Sequence, residues 1–459
     1  MRKRTLLLLT VLLACAACAP TSAESIVDAP PTCRVWINGV EAQVRETAVN
    51  HQRVWTSRPM LSTSPVVLFT AEGRVEIEVA FLGTEVESAV VRPLSLGVTP
   101  DVSGGVVRFA LNSPANAVVE YNGQVKGALH LFLSAPETDA PKPGDPNVRY
   151  LGPGIHDARV IVPNDGETIY LAEGCVLRGA VQAEGVKNVT LCGRGVIDGS
   201  TFDRFADTLV PIDFRESSNI AIRGVTVLDP SAWTLNLYKC EGVTIEDVKI
   251  IGARSNSDGI TVQSCRDVLV KNCFVRSWDD SLVVKGYDGN VDSVVFENIT
   301  LWTDLAQSCE IGYETRADVM ENIAFRGVTV LHNFHKPVLS IHNSDNALIR
   351  NVTFENVTVE DAQMGEGDGQ PFLIDLTTTK SQWSKSRERG RIRGVTIRDV
   401  RVLSGKVPSV RIFSFDREHN IDDVEISGLT ILGERITAFE QLKYNKNNRN
   451  GLNIRFSDE

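Results

Sequence analysis

A short apolar tetrad that keeps returning constrains this chain more than any other feature. Asn188-Val189-Thr190-Leu191 is echoed by Asn219-Ile220-Ala221-Ile222, Gly242-Val243-Thr244-Ile245, Asp267-Val268-Leu269-Val270 and Ser293-Val294-Val295-Phe296. The series runs on through Asn322, Asn351, Gly394 and Asp423, with central steps of 23, 25 and 26 residues. A second short strand follows each tetrad, as in Val248-Lys249-Ile250 and Val357-Thr358-Val359. Units of this length, each too small to bury its own apolar face, must stack into a solenoid. Val and Ile dominate and Asn stands at the corners, so the unit is a coil of a right-handed parallel β-helix rather than a leucine-rich repeat. Consecutive coils then lie about 4.8 Å apart. The Asn-x-Thr triplets at Asn188, Asn298, Asn351 and Asn356 fall at these corners and read as turn residues.

The region before the repeats has a different character. From Cys33 to Ser134, short alternating runs such as Val75-Glu76-Ile77-Glu78-Val79 and Gly105-Val106-Val107-Arg108-Phe109 are separated by turn residues, the pattern of a β-sandwich. Ala135 to Gly144, rich in proline, reads as a linker. The expected layout is all-β: a signal segment over 1–23, a β-sandwich with its linker over 24–143, a β-helix over 144–440 and a tail over 441–459.

Arg2, Lys3 and Arg4 precede the apolar run Leu6 to Ala14, too short to span a bilayer, so the start reads as an export signal. Leu12-Leu13-Ala14-Cys15 resembles a bacterial lipoprotein box that would lipidate Cys15, and Cys15-Ala16-Ala17-Cys18 is a poorer copy. The expected location is the bacterial cell envelope, the periplasm or the medium, with membrane attachment only through that lipid. Seven cysteines follow, an odd number without a CxxC pair, which argues against a zinc site. Cys240 and Cys265 occupy matching repeat positions and fit either a disulfide or a buried stack. The net charge of −11 argues against a nucleic-acid partner.

Chemistry concentrates in Asn256-Ser257-Asp258-Gly259 and Asp279-Asp280, each just ahead of a strand. Sliding one strand onto the next puts Asp258 beside Asp280 with Asp279 close by, and in register Trp233, Asp258, Asp280 and Cys309-Glu310 form one column. Crowded carboxylates repel and hold unequal pKa values, which suits general acid and base work. An Asp/Asn ladder or a calcium site is the structural alternative.

With Gly193-Arg194-Gly195-Val196-Ile197-Asp198-Gly199, these motifs resemble the polygalacturonase family of glycoside hydrolases, family 28, over about residues 150–430. The acid spacings of 21 and 22 residues match that family. The resemblance implies hydrolysis with inversion, Asp279 as general acid, Asp258 and Asp280 activating water, and no metal or organic cofactor. Two departures stand out: Gln307 takes the place of the family's histidine, and Ser340-Ile341-His342 replaces the basic element that grips a uronate carboxylate. The sandwich-plus-helix layout is similar to dextranases and isopullulanases, family 49, which act on neutral α-glucans.

The expected substrate is therefore a poly- or oligosaccharide, neutral rather than galacturonate, with pectin hydrolysis as the alternative. Candidate contacts are Trp233, Asn256, Lys285, Gln307, Glu310, Tyr313, Glu314 and His342, and His335-Lys336 is a possible replacement cation pair. Trp278 reads as structural support, and Trp36, Trp55 and Tyr121 as sandwich core, with carbohydrate binding as the alternative. A calcium-dependent β-helical lyase and a non-catalytic carbohydrate binder are the rival classes.

Overall fold

The computed structural model describes residues 29–444 and 451–457. The proposed lipidation site Cys15 lies outside them.

Two five-stranded sheets form the N-terminal sandwich. One runs, in spatial order, 40–41, 33–37, 73–81, 106–113 and 101–103; the other 44–50, 61–70, 124–134, 115–121 and 89–92. Alternation places Val75, Ile77 and Val79 inside against Leu129, Leu131 and Leu133 of the facing sheet.

From Val148 onward the chain winds into a right-handed parallel β-helix. Three stacks of strands make its walls, typified by Ile260–Gln263, Arg266–Lys271 and Phe274–Ser277 within one coil. Strands of the walls pair in parallel with their counterparts a coil later, as Leu235↔Ile260, Ile260↔Leu282 and Leu282↔Cys309. The recurring tetrads form the middle stack, with Val243, Val268 and Val294 superposed in the core. Segment 441–459, expected as a tail, supplies another strand instead: Leu452–Ser457 pairs with Ile421–Ser427. Its alternating Leu452-Asn453-Ile454-Arg455-Phe456 pattern fits a further coil.

The corners explain the asparagines. Asn188, Asn298, Asn351 and Asn356 all have φ between 51° and 58°, a left-handed conformation that Asn tolerates. Their side chains also bond between coils, Asn298 Nδ2 to Asn272 Oδ1 at 2.7 Å and Asn351 Nδ2 to Asn322 Oδ1 at 3.1 Å. Cys240 and Cys265 are free, buried thiols on adjacent coils, with the Cys240 amide donating to Cys265 Sγ at 3.2 Å.

The sandwich packs against the third stack of the β-helix. Val49, Val66, Val118 and Phe132 meet Leu228, Ile251, Phe274 and Trp302 in one apolar cluster. Two ion networks are buried at this junction: Arg276 bonds Asp304 at 2.9 Å, and His332 bridges Glu120 and Asp361. The loops leading from the third stack back to the first therefore emerge beside the sandwich, and these loops carry the acids.

Candidate active site

The acid cluster is built by register. Gly259 donates its amide to the Asp280 carbonyl at 2.8 Å, and Ser281 donates to the Gln307 carbonyl at 2.8 Å, so Asp258, Asp280 and Gln307 succeed one another on three coils. Gly259 is required there: a Cβ would lie 2.4 Å from the Ser281 carbonyl and 2.4 Å from Val275. Trp233 falls one coil before Asp258, as the repeat spacing implies, since Leu235 pairs with Ile260.

Asp279 is held by the main chain. Its Oδ1 accepts from the Asp280 amide at 3.1 Å, and the Asn256 amide also donates to its carboxylate. Behind it a chain of hydroxyls locks the turn: Ser277 donates to the Asp279 carbonyl at 2.7 Å, and Ser277, Ser281, Thr303 and Ser308 follow in steps of 2.8–2.9 Å. Asp280 accepts from the Gln307 amide at 3.1 Å.

Burial raises the pKa of all three carboxyls. For Asp258 and Asp280 the neighbouring Asp279 charge raises it further, whereas Lys285 and Lys336 ease the shift of Asp279. Lys285 loses solvation by burial, yet the charges of Asp258, Glu314 and Asp280 hold it firmly protonated. Its Nζ lies 3.1 Å from Glu314 and 5.2 Å from the centre of the Trp233 ring. A cluster with more carboxyls than nearby cations retains protons towards neutral pH, so acid and base forms coexist within it.

These groups open into a cleft of about 350 Å³. Asp258, Asp279 and Asp280 line it together with Trp233, Asn256, Lys285, Gln307, Tyr313 and Glu314, all named from the sequence. The Asn256 side-chain carbonyl is already engaged by Arg204 at 2.6 Å, which leaves its main-chain amide as the group that positions Asp279.

Two expected contacts are displaced. Glu310 and His342 are fully buried and absent from the cleft wall. The column continues through Gln307 rather than Cys309-Glu310, because Leu282 pairs with Cys309 and Glu310 therefore pairs with Val283. His342 donates from both ring nitrogens within its own network, to Glu310 at 2.8 Å and to Asp375 at 3.0 Å, and Arg411 clasps Asp375 in turn. Burial alone would lower its pKa, but Glu310 and Asp375 raise it to about 10, so it stays an imidazolium. It supports the site from behind, stacked 4.3 Å beneath the Tyr313 ring.

The cleft takes in further residues besides these candidate contacts. Trp55, read as sandwich core, lines the cleft instead and packs edge-on against the buried Trp278 at 5.1 Å. Lys336 also reaches it, while the adjacent His335 turns away to Asp368 and the Leu305 carbonyl. Trp383, Gln382 and Ser381 come from the inserted loop after Thr378. Only their aromatic or loop character signalled them, since none stands at a repeat position. Trp36 carries Arg34 over its ring, and Tyr121 packs on Phe81 at 4.2 Å.

The profile of "Glycosyl hydrolases family 28" matches residues 171–446, more than half of the chain. The protein belongs to glycosyl hydrolase family 28. Curated relatives include "Probable polygalacturonase At3g15720" of Arabidopsis thaliana, 20% identical over 41% of this chain and 41% of that protein. A "Polygalacturonase" of Juniperus ashei is 21% identical over 50% of this chain and 43% of that protein. The family 28 chain thus spans less than half the length of these two relatives. Among solved structures, "Dex49A from Penicillium minioluteum" matches with a TM-score of 0.56 over 93% of both chains at 15% identity. That likeness concerns the fold, and it extends over sandwich and β-helix alike.

Proposed function

We propose that this family 28 protein is an exported glycoside hydrolase that cleaves poly- or oligosaccharides with inversion, neutral sugars being preferred to galacturonate. The observation that carries the proposal is the trio of Asp279 and the buried Asp258 and Asp280 at the wall of one cleft. In this reading Asp279 protonates the glycosidic oxygen while Asp258 and Asp280 together take a proton from water attacking the opposite face of the sugar. The departing alcohol carries the proton from Asp279, and the proton from water restores the cluster. No step calls for a metal or cofactor.

The neutral-sugar preference rests on charge. Lys285 is committed to Glu314 and the acids, and His342 is buried in an ion network of its own. A uronate carboxylate needs charge-assisted contacts to displace its water, and Lys336 is left as its principal partner. Lys336 and the polygalacturonase names of the relatives favour the second reading, a pectin hydrolase. For the leader, we propose export with lipidation at Cys15.

Reducing-end release from a panel of dextran, other α-glucans and polygalacturonate tests the substrate class. Preference for a neutral glucan is expected, and faster cleavage of polygalacturonate would overturn it. Calcium-dependent release of an unsaturated product would replace hydrolysis with a lyase reaction.

A further inference from the structure

Trp55 sits in the cleft rather than in the sandwich core because its loop is held against the β-helix. Strands 44–50 and 61–70 are joined by a ten-residue loop, and this loop is bolted to the β-helix at three places around the acids. Asn50 Nδ2 reaches the Ala253 carbonyl at 3.4 Å, and Ser255 Oγ reaches the Ser57 carbonyl at 2.8 Å, just ahead of Asp258. Arg53 donates to the Asp304 carbonyl at 3.2 Å and lies 3.7 Å above the Phe334 ring, just ahead of Gln307 and Lys336. Asp368 accepts from the Trp55 amide, and Gly367 crosses so close to the Arg53 carbonyl that a Cβ would lie 1.7 Å away.

Asp304 ties this anchorage to the catalytic turn. It also binds Arg276 at 2.9 Å and Trp302 Nε1 at 3.0 Å, and Arg276 stands three residues before Asp279. The Asp304 amide donates to the Ser277 carbonyl at 2.9 Å, so the loop is tied to the strand that leads into the acid turn. Trp55 nevertheless keeps 45% of its surface exposed, facing the cleft with Trp278 at its edge. An indole so firmly backed and so open is a preorganised platform for the C–H face of a pyranose, because little entropy is lost when sugar binds. The cleft volume of about 350 Å³ sits at the small end of the range for ligand sites, roughly 300–1,000 Å³. A short stretch of saccharide fills it, and one indole is a large share of the contact.

We propose that Trp55 is a sugar-stacking, specificity-determining residue, so that the β-sandwich completes the substrate cleft instead of serving as a separate module. This rests on the glycosidase reading for the identity of the ligand as a saccharide. Isomalto-oligosaccharides and oligogalacturonides are the probes, titrated by calorimetry into full-length Asp279→Asn with and without Trp55→Ala or Trp55→Phe.

Trp55→Ala is expected to weaken binding by about tenfold, the equivalent of ~1.4 kcal/mol, with Trp55→Phe recovering most of it. In the active enzyme KM should rise by a similar factor while kcat falls far less. The melting temperature, measured alongside, shows that the fold survives; Trp55→Phe carries the comparison if Trp55→Ala does not fold, with a smaller, threefold loss expected. Unchanged affinity and KM in folded variants overturn the inference and leave the hydrolase reading intact. Trp55-dependent binding by a protein that cleaves nothing sinks the hydrolase reading and leaves the inference standing. Failure of every probe to bind overturns both.

Discussion

The amide of Gly259 donates to the carbonyl of Asp280 at 2.8 Å, which seats Asp258 and Asp280 side by side on consecutive coils. Two buried carboxyls, and Asp279 beside them, are thus forced together by backbone pairing that the acids themselves oppose. The expected consequences concern activity, stability and substrate choice.

Asp280 works against stability at neutral pH. Its pKa is raised in the folded chain, first by burial and then by Asp279, above the unfolded value of about 3.9. The folded state is favoured below that value, and the advantage disappears as pH rises through the folded pKa. Asp280→Asn should therefore melt about 2 °C or more above wild type at pH 7 and show no gain near pH 4, by calorimetry, while losing activity.

His342 should behave as a structural cation. Its pKa of about 10 exceeds the unfolded value of about 6.5, so its contribution is complete below pH 6.5 and fades as pH rises through 10. His342→Gln leaves Glu310 and Asp375 short of a buried partner and should cost about 3–5 kcal/mol in denaturant unfolding. A normal unfolding midpoint with a raised KM would instead mark His342 as a substrate contact.

Lys336 separates the two substrate readings. Replacing it with Ala should raise the ratio of kcat/KM for a neutral glucan over polygalacturonate by at least about tenfold, since only the uronate loses a charge-assisted bond. An equal effect on both would assign Lys336 to the acid cluster, where it eases the charge on Asp279.

The repeats made the β-helix and the pairing of Asp258 with Asp280 legible, because spacing along a solenoid converts directly into coil register. Glu310 was misplaced for the same reason: it was aligned with Asp280, whereas the true counterpart is Gln307, three residues earlier, and that slip moves a side chain from the cleft to the buried ion network. The positions of Trp55 and Trp383 were not legible. Both lie on loops without periodicity, and Trp55 reaches the site through the docking of the sandwich, a long-range packing event that local pattern does not encode.

The hydroxyl chain from Ser277 to Ser308 was equally hidden, since isolated Ser and Thr residues carry no spacing signal. Its role is testable through Ser281→Ala. Loss of two hydrogen bonds beside Asp280 should lower kcat more than it raises KM, with a stability loss of about 1–3 kcal/mol.

The central claim is single-displacement hydrolysis at the three aspartates. Time-resolved NMR of the first product released from the preferred oligosaccharide, for wild type and Asp279→Asn, tests it most directly. An inverted anomer is expected from wild type, with a rate about 10²–10⁴-fold lower in the variant. A retained anomer, or an Asp279→Asn protein as active as wild type, would contradict it.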